Sequence, residues 1–421
     1  MHKIERLLQT LAPKGVEFKT LEEVFEIKNG YTPSKNNPEF WEKGTIPWFR
    51  MEDIRENGRI LKDSIQHITP KALKGKKLFP KNSIIISTTA TIGEHALLIV
   101  DSLANQRFTF LSKKANCGIA LDMKFFFYQC FLLGEWCKKN TNVSGFASVD
   151  MTAFKKYKFP IPPLEIQQEI VKILDAFTEL NTELNTELKA RKKQYQYYQN
   201  MLLDFDGINS NHKDAKMSAK TYPKRLKTLL QTLAPKGVEF RKLGEVCDFQ
   251  KGKSITKKAV TLGKVPVISG GRQPAYYHNE ANRSGETIAI SSSGVYAGYV
   301  SYWDIPVFLA DSFSVSPKQK TLMPKYLFHY LTTQQDAIHA TKSTGGIPHV
   351  YSKDLQNFLI PIPPLEIQQE IVKILDQFSI LTTDLLAGIP AEIEARKKQY
   401  EYYREKLLAF KPLTPHKEVK K

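Results

Sequence analysis

Long hydrophobic runs are missing from this chain of 421 residues. Its most apolar stretch, FFFYQCFLL at residues 125–133, is about half of the roughly 18 residues that a membrane-spanning helix requires. The first residues, MHKIERLLQTLAPKG, also lack the apolar segment of a secretory signal. We therefore expect no membrane partner and a cytoplasmic location.

Cysteine is scarce as well. The four cysteines form no C-x-x-C pair and have no histidine cluster beside them; they are Cys117, Cys130, Cys137 and Cys247. This spacing argues against a disulfide framework and against a zinc site. It favours reduced cysteines in a cytosolic protein.

Motifs for catalysis and cofactor binding are absent. The chain has no G-x-G-x-x-G loop, no G-x-x-x-x-G-K-[ST] loop and no H-E-x-x-H pair. It also lacks the Asn/Asp-Pro-Pro-Tyr/Phe tetrad with which amino-methyltransferases hold a flipped base. The nearest match, NPEF at residues 37–40, has Glu39 where the second proline belongs. The sequence predicts a binding protein with no catalytic residue, no cofactor and no metal of its own.

What the chain has in excess is positive charge. It contains 61 Lys and Arg against 43 Asp and Glu, a formal net charge of +18. Such a balance indicates a polyanionic partner, most simply nucleic acid. Hydrophobic residues make up 42% and aromatic residues 11%, which is enough for folded cores, and the length suits two to four domains.

The chain also repeats itself. LLQTLAPKGVEF occurs at residues 7–18 and 229–240, PIPPLEIQQEIVKILD at 160–175 and 361–376, and ARKKQY at 190–195 and 395–400. The segments between these blocks, about 19–158 and 241–359, are mostly different. A shared frame around two divergent inserts indicates a protein that recognises two different things at once. A recent duplication without functional meaning is the alternative, but it does not easily explain why only the inserts diverged.

Both inserts have a sequence typical of strands and turns, followed by a helix. IIISTTATIG at 84–93 and TIAISSSGVYAGYVSYW at 287–303 are rich in β-branched and aromatic residues. Helices are expected around 122–139 and 323–340. Weak correspondences between the inserts predict one α+β fold with different loops. They pair residues 28–30 with 250–252, 46–48 with 265–267, 84–87 with 288–291, and 123–125 with 323–326.

The shared blocks predict long helices with a coiled-coil seam. The apolar positions of the first helix are Ile166, Ile170, Ile173, Phe177, Leu180, Leu184, Leu188, Tyr195, Tyr198 and Leu202. Those of the second are Ile367, Ile371, Ile374, Phe378, Leu381, Leu385, Ile393, Tyr400, Tyr403 and Leu407, with a kink or break expected near Gly388-Ile389-Pro390. Helices of this length need a partner. The other copy, packed antiparallel, is favoured over an outside protein because the chain has two matching seams.

The domain organisation follows from these blocks. The predicted segments are a first domain with a short N-terminal helix (1–160), a central helical region (161–205), a polar linker (206–224), a second domain (225–361), a C-terminal helical region (362–410) and a tail (411–421). A tandem unit, TELNTELNTELK at 178–189, lies within the central helical region. It is either a neutral repeat or a device that adjusts helix length.

Two sets of side chains are candidates for nucleic-acid contacts. Lysines suited to phosphate contacts crowd two stretches, Lys71, Lys74, Lys76, Lys77 and Lys81 in the first insert and Lys251, Lys253, Lys257, Lys258 and Lys264 in the second. Candidates for base contacts lie beside predicted turns, where directed donors and acceptors can reach base edges. They are Asn29, Tyr31, Ser34, Lys35, Arg50, Asn105, Gln106 and Arg107 in the first insert, and Lys253, Arg272, Gln273, Tyr276, Ser292, Ser312 and His349 in the second. For each residue alone, an ordinary surface or loop role is the competing interpretation.

The order of variable module, PIPPLEIQQEIVKILD helix, second module and second helix resembles the specificity (S) subunit of type I restriction–modification systems. The resemblance covers nearly the whole chain and is most specific at Pro160–Asp175, Pro361–Asp376 and Glu394–Leu408. It implies two target-recognition domains, each reading one half of a bipartite, asymmetric sequence in double-stranded DNA. It also implies that two long antiparallel conserved helical regions, related by a pseudo-twofold internal repeat, act as a ruler between them.

The same resemblance implies partners and cofactors. Two modification (M) subunits carry S-adenosylmethionine and the adenine methyltransferase activity, and restriction (R) subunits add ATP-dependent translocation and cleavage with Mg²⁺. The polar linker departs from the simplest pattern of the family, and Met217 within it resembles the start of a half-length subunit. Two other functions remain open from the residues: a self-contained methyltransferase or endonuclease with an unrecognised catalytic site, and a coiled-coil scaffold without a DNA role.

Overall fold

The computed structural model describes residues 2–73, 77–142, 147–205, 222–318, 320–343, 346–383 and 388–413. Several predicted features lie outside these ranges: most of the linker 206–224 with Met217, most of the tail 411–421, Lys74, Lys76 and Leu385. The chain forms two compact units that do not follow chain order. The first unit combines residues 1–183 with 394–421, and the second unit holds residues 184–393.

The first unit is built from short strands and one long internal helix. Its helices are α1 (His2–Leu11), α2 (Leu21–Val24), α3 (Met51–Asn57), α4 (Met123–Lys139) and α5 (Met151–Lys155). Its strands are β1 (Glu17–Thr20), β2 (Phe25–Asn29), β3 (Ile46–Phe49), β4 (Ile60–Leu61), β5 (His67–Ile68), β6 (Ser83–Ser87), β7 (His95–Leu98), β8 (Leu103–Ala104), β9 (Phe108–Lys113), β10 (Thr141–Asn142), β11 (Ser148–Val149) and β12 (Lys158–Ile161). A five-stranded sheet has the order β2-β9-β6-β7-β4, and a three-stranded sheet has the order β5-β3-β8.

The second unit repeats this plan. A long helix, α6 (Leu164–Leu203), begins in the first unit and ends in the second. The elements that follow are α7 (Lys224–Leu233), β13 (Glu239–Lys242), α8 (Leu243–Val246), β14 (Cys247–Lys251), β15 (Leu262–Ile268), β16 (Tyr276–His278), β17 (Thr287–Ser291), β18 (Val300–Trp303), β19 (Phe308–Leu309), β20 (Ser312–Pro317), α9 (Pro324–Thr333), α10 (Gln335–Ala340), α11 (Ser352–Leu355) and β21 (Leu359–Ile362). Its sheets have the orders β14-β20-β17-β18 and β16-β15-β19.

Strand registers confirm two of the weak correspondences between the inserts, residues 84–87 with 288–291 and residues 46–48 with 265–267. Ile84 on β6 pairs with Leu111 on β9, and Ile288 on β17 pairs with Val315 on β20. Likewise β3 and β15 each run antiparallel to one neighbour and parallel to the other. The two inserts therefore share one α+β frame despite their different sequences.

A helix packs on the sheet in each unit. Asp122 caps α4, because its Oδ1 accepts hydrogen bonds from the backbone N–H groups of Lys124 (2.7 Å) and Phe125 (3.3 Å). The FFF run of this helix is buried in the first core, where each phenylalanine contributes about 1.5–3 kcal/mol. The helix predicted at 122–139 is thus confirmed. The one predicted at 323–340 is divided into α9 and α10.

The long helices confirm part of the predicted seam. After α6, the second copy forms α12 (Leu365–Thr383) and α13 (Ile389–Leu408), so the break near Gly388 is confirmed. The seam is wrong at Leu180 and Leu381, which are 44% and 43% exposed, whereas Leu174 and Leu375 are fully buried. The first turns of each helix pack on a domain core as well as on a helix, which requires a wider apolar face than a coiled-coil seam.

Each unit contains one pairing between the two long helical regions. In the first unit the ring of Phe177 stacks on Tyr403 with centroids 5.5 Å apart, and in the second Tyr198 stacks on Phe378 at 5.0 Å. Phe177 precedes Tyr198 in α6, whereas its partner Tyr403 follows Phe378 in the second helical region. The two helical regions are therefore antiparallel, as predicted. Across the described ranges, no helix combines the length and apolar character needed to cross a bilayer.

Candidate nucleic-acid interface

In the first unit, several loops meet where the strands of its two sheets end. The backbone N–H of Gly30 donates to the carbonyl of Phe108 (2.9 Å), and that of Tyr31 donates to Ala104 (2.8 Å). A side chain cannot be added at Gly30, since its Cβ would lie 2.2 Å from the backbone oxygen of Asn105. The glycine thus allows the close approach that brings these loops together.

A cleft of about 320 Å³ opens among these loops. It brings together five of the eight residues predicted for this insert: Lys35, Arg50, Asn105, Gln106 and Arg107. Its lining also includes Thr32, Trp48, Glu52 and Arg55. A concave site with four cationic side chains and neighbouring amide groups suits the contacts that phosphates and base edges offer.

Helix α3 supplies part of this cleft. Asp53 fixes its start, because its Oδ2 accepts a hydrogen bond from the backbone N–H of Arg50 (2.6 Å). The Arg50 guanidinium lies 6.0 Å from the centroid of the Trp48 ring, and its Nε lies 3.8 Å from Glu52. Arg55, on the same helix, was not predicted as a site residue from the sequence. The one sequence feature that could have indicated it is its position between two strand-like segments.

The other three candidates of the first insert are not among the residues that line the cleft, and hydrogen bonds hold them to neighbouring residues. Asn29 Oδ1 accepts a hydrogen bond from Thr109 Oγ1 (3.1 Å). The backbone carbonyls of Tyr31 and Ser34 accept from the indole N–H groups of Trp48 and Trp41, each at 2.9 Å. Asn29 and Ser34 remain exposed and Tyr31 is half-buried.

The second unit places its loops by the same backbone bonds. Gly252 N–H donates to Ser312 (2.8 Å), Lys253 N–H to Leu309 (2.8 Å), and Ser292 N–H to Asp311 (3.1 Å). A side chain cannot be added at Gly252 either, since its Cβ would lie 2.4 Å from the backbone oxygen of Ala310. Lys251 and Lys253 are exposed at this end of the sheet.

Arg272 lies on one of these loops with its guanidinium over two tyrosine rings. Its Cζ is 4.9 Å from the Tyr296 centroid and 5.6 Å from the Tyr299 centroid. Burial lowers the pKa of the nearby His339, and the positive charges of Lys342 and Arg272 lower it further. An arginine held on aromatic faces while still exposed is positioned to contact an anion.

The loops around 294 and 348 present apolar side chains that the sequence did not single out. Val295 is 82% exposed, Ile347 66% and Tyr351 46%. The loops are joined by the hydrogen bond from Gly294 N–H to the Pro348 carbonyl (3.0 Å). His349, a predicted site residue, lies beside these apolar side chains, with the centroid of its ring 5.9 Å from that of Tyr351.

The structure contradicts one predicted site residue and leaves the others accessible. Ser312 is 3% exposed, and its Oγ donates to the Ile268 carbonyl (3.0 Å), so it is a structural residue of β20 rather than a DNA contact. Its counterpart Phe108 is likewise buried. Gln273 is exposed, and Tyr276 and Ser292 are half-buried.

Known proteins share this arrangement. A model of the family described as the type I restriction modification DNA specificity domain matches residues 13–192 and 235–395. The chain belongs to this family. The sequence resemblance is thereby confirmed, and each match of the DNA specificity domain includes one set of the loops described above.

One relative of this DNA specificity subunit family matches nearly the whole chain, and another matches about two thirds of it. It is 40% identical over 400 residues to the type I restriction enzyme EcoprrI specificity subunit of Escherichia coli, which covers 91% of this chain and 93% of the relative. It is 33% identical over 311 residues to the EcoR124I/EcoR124II specificity subunit of Escherichia coli, covering 65% of this chain and 70% of that one.

Solved structures show the same fold. The type I restriction–modification S subunit from M. genitalium matches with a TM-score of 0.57 at 19% identity, covering 93% of this chain and 95% of that one. A chain from a structure on complex assembly and conformational transition of the type I R-M system matches with a TM-score of 0.59 at 18% identity, covering 94% and 97%. Among the residues that the structure describes, no group of three or more His, Cys, Asp or Glu side chains is placed so that it could hold a metal ion.

Proposed function

We propose that this chain is the DNA specificity subunit of a type I restriction–modification complex, and that each unit reads one half of a bipartite, asymmetric DNA site. The observation that carries this is the repeated loop frame with different side chains on it. Position 29 is asparagine where position 251 is lysine, although both end a strand paired in the same register. Two frames of one geometry with different donors and acceptors suit two different half-sites.

Affinity and sequence reading would come from different side chains. Exposed lysines such as Lys251 and Lys253 suit phosphates, which fix the position of the protein on the duplex without reading the sequence. The cleft residues Arg50, Gln106 and Arg107 carry the directed groups that recognise base edges.

The helices would set the distance between the half-sites and dock the partner subunits. Helix α6 has 40 residues and is therefore about 60 Å long. The expected assembly adds two M subunits, and R subunits in the full complex. We assign no catalysis and no cofactor to this chain: S-adenosylmethionine would be bound by M subunits, and ATP with Mg²⁺ by R subunits. Acting on cellular DNA would place the complex in the cytoplasm.

Reconstitution tests the division of labour. The purified chain alone should transfer no label from S-adenosylmethionine to DNA, and methylation should appear when the M subunits are added. Label transferred by the lone chain would instead support the alternative of a self-contained enzyme.

An exchange of inserts tests the modular reading. Replacing residues 19–158 with the matching segment of another family member should change one half of the methylated sequence and leave the other half unchanged. A change in both halves, or in neither, would contradict the assignment of one half-site to each unit.

A further inference from the structure

Arg107 and Asp311 occupy the same position in the two loop frames. Each immediately precedes a strand whose first residue pairs in the same register, Phe108 with Ser87 and Ser312 with Ser291. Each carbonyl accepts a backbone hydrogen bond of 3.1 Å from the neighbouring loop, donated by Thr88 in one case and Ser292 in the other. One position of the frame thus carries opposite charges in the two units.

The side chains at this position face away from the cores. Phe108 and Ser312 are 1% and 3% exposed, and successive side chains of an extended chain alternate between faces. Arg107 lines the cleft of the first unit. Asp311 is half-buried among the loops that carry Lys253 and Arg272.

Among the described residues, the Asp311 carboxylate accepts a hydrogen bond from one side chain and has spare acceptor capacity. Its Oδ2 accepts a hydrogen bond from Ser293 Oγ. In the described part of the chain, no lysine or arginine forms an ion pair with it. An ionised carboxylate can accept about four hydrogen bonds, so capacity remains on Oδ1.

A carboxylate on a DNA-facing surface is repelled by the phosphates. It becomes favourable where it accepts a hydrogen bond from a base, and the donors that the major groove offers are the amino groups of cytosine (N4) and adenine (N6). An arginine at the same position has the opposite preference, since guanine presents O6 and N7 acceptors.

We propose that Asp311 accepts a hydrogen bond from an exocyclic amino group in the half-site read by the second unit, and that Arg107 at the matched position recognises a guanine in the other half-site. This inference rests on the proposed function. The charge at one frame position then decides whether each unit selects a donor or an acceptor on the base edge.

The test uses the full chain assembled with its M subunits and a series of duplexes. In each duplex one amino group of the half-site is removed, by 2-pyrimidinone in place of cytosine or purine in place of adenine. Binding should weaken by roughly 5- to 150-fold at one position, the range for one lost base contact. The same substitutions in the spacer measure the effect of weakened base pairing. If no amino group in the half-site matters more than those in the spacer, the inference is overturned.

Two variants separate base reading from loop anchoring. Asp311→Ala and Ser293→Ala both break the bond between these side chains, but only the first removes the proposed acceptor. Ser293→Ala should keep the penalty for the missing amino group, and Asp311→Ala should reduce it to less than about 2-fold. A penalty that persists in Asp311→Ala would overturn the proposal.

A third variant covers the case in which Asp311→Ala does not bind DNA. Asp311→Asn keeps an oxygen for Ser293 and adds a donor, so the preferred base at the same position should change. An unchanged preference would overturn the proposal, and Asp304→Asn, at the opposite end of the sheet, should change nothing. A wild-type complex without any sequence preference would instead contradict the proposed function itself.

Discussion

Gln167 and Gln368 lie 201 residues apart and make the same three side-chain hydrogen bonds. Gln167 Oε1 accepts from Asp122 N–H (2.8 Å), and its Nε2 donates to the carbonyls of Ala120 (2.9 Å) and Pro162 (2.7 Å). Gln368 does the same with Met323 (2.9 Å), Thr321 (2.8 Å) and Pro363 (2.7 Å). Both side chains are fully buried. Each glutamine therefore ties the start of a long helix to the start of the helix that packs on the sheet.

Removing either glutamine should destabilise its unit. Gln167→Ala leaves a buried N–H and two carbonyls without their partner, so we expect the free energy of unfolding to fall by about 2–4 kcal/mol. Gln368→Ala should have the same effect in the second unit. Denaturant unfolding measures the change.

The neighbouring glutamines provide matched controls. Gln168 and Gln369 are exposed, and their replacement by alanine should change the free energy of unfolding by less than about 0.5 kcal/mol. Equal losses for the buried and exposed glutamines would contradict a structural role for these hydrogen bonds.

Acid should destabilise the first unit through His95. Burial lowers the pKa of this histidine to about 3, and the positive charge of Arg59 contributes. The pKa of this histidine is lower in the folded protein than in the unfolded chain, where it is near 6.5. The fold is therefore most stable above pH 6.5, and stability is lost as the pH falls below that value. From this group alone, the free energy of unfolding should be about 2 kcal/mol lower at pH 5 than at pH 8.

The comparison with His95→Phe isolates this contribution. The ring lies 4.6 Å from the Phe131 centroid, so phenylalanine suits the site, although it loses the contact of Nδ1 with the Gly93 carbonyl (3.2 Å). Denaturant unfolding from pH 8 to pH 5 should show a smaller loss for the variant. The same pH dependence in both proteins would show that His95 does not carry the effect.

The tandem TEL repeat should set the spacing between half-sites. It lies in the middle of α6, and the boundary between the two units falls within it, after Glu183. Deleting Thr182–Asn185 removes ~6 Å of helix and roughly 400° of rotation, which shifts the seam by only ~40°. We expect a shorter spacer in the methylated sequence with both half-sites unchanged.

Genome-wide mapping of methylated sites provides the measurement. A two-residue deletion is the matched control, since it rotates the seam by about 200° and should abolish activity. An unchanged spacer with full activity after the four-residue deletion would leave the repeat without a role in spacing.

Loss of phosphate contacts should weaken DNA binding without changing the DNA sequence that is recognised. The double variant Lys251→Ala, Lys253→Ala should bind every duplex more weakly and reduce the slope of log affinity against log salt by about 2. Titrations at several salt concentrations measure this slope. Lys318→Ala, at the opposite end of β20, should leave the slope unchanged, and a changed base preference in the double variant would indicate base contacts instead.

The sequence by itself determined the plan of this protein. Exact blocks such as residues 160–175 and 361–376 specify the same local contacts twice, so the repeat, the long helices and the break near Gly388 could be predicted from local patterns. The family resemblance followed from the same blocks. Five of the eight candidates in the first insert lie in one cleft because turns next to strand ends are brought to the same edge of a sheet.

Only the tertiary structure decided which side chains face the cleft and which face the core. Ser312 and Asp311 are adjacent and both polar, but strand alternation buries Ser312 in the core and leaves Asp311 half-buried among the loops. The register that fixes this depends on a partner strand more than 20 residues away. Arg55 lines the cleft only because the fold places α3 beside the loop that carries Gln106 and Arg107. The equivalence of Arg107 and Asp311 is likewise a matter of backbone pairing, since loops that differ in length and sequence are aligned by hydrogen bonds rather than by residue identity.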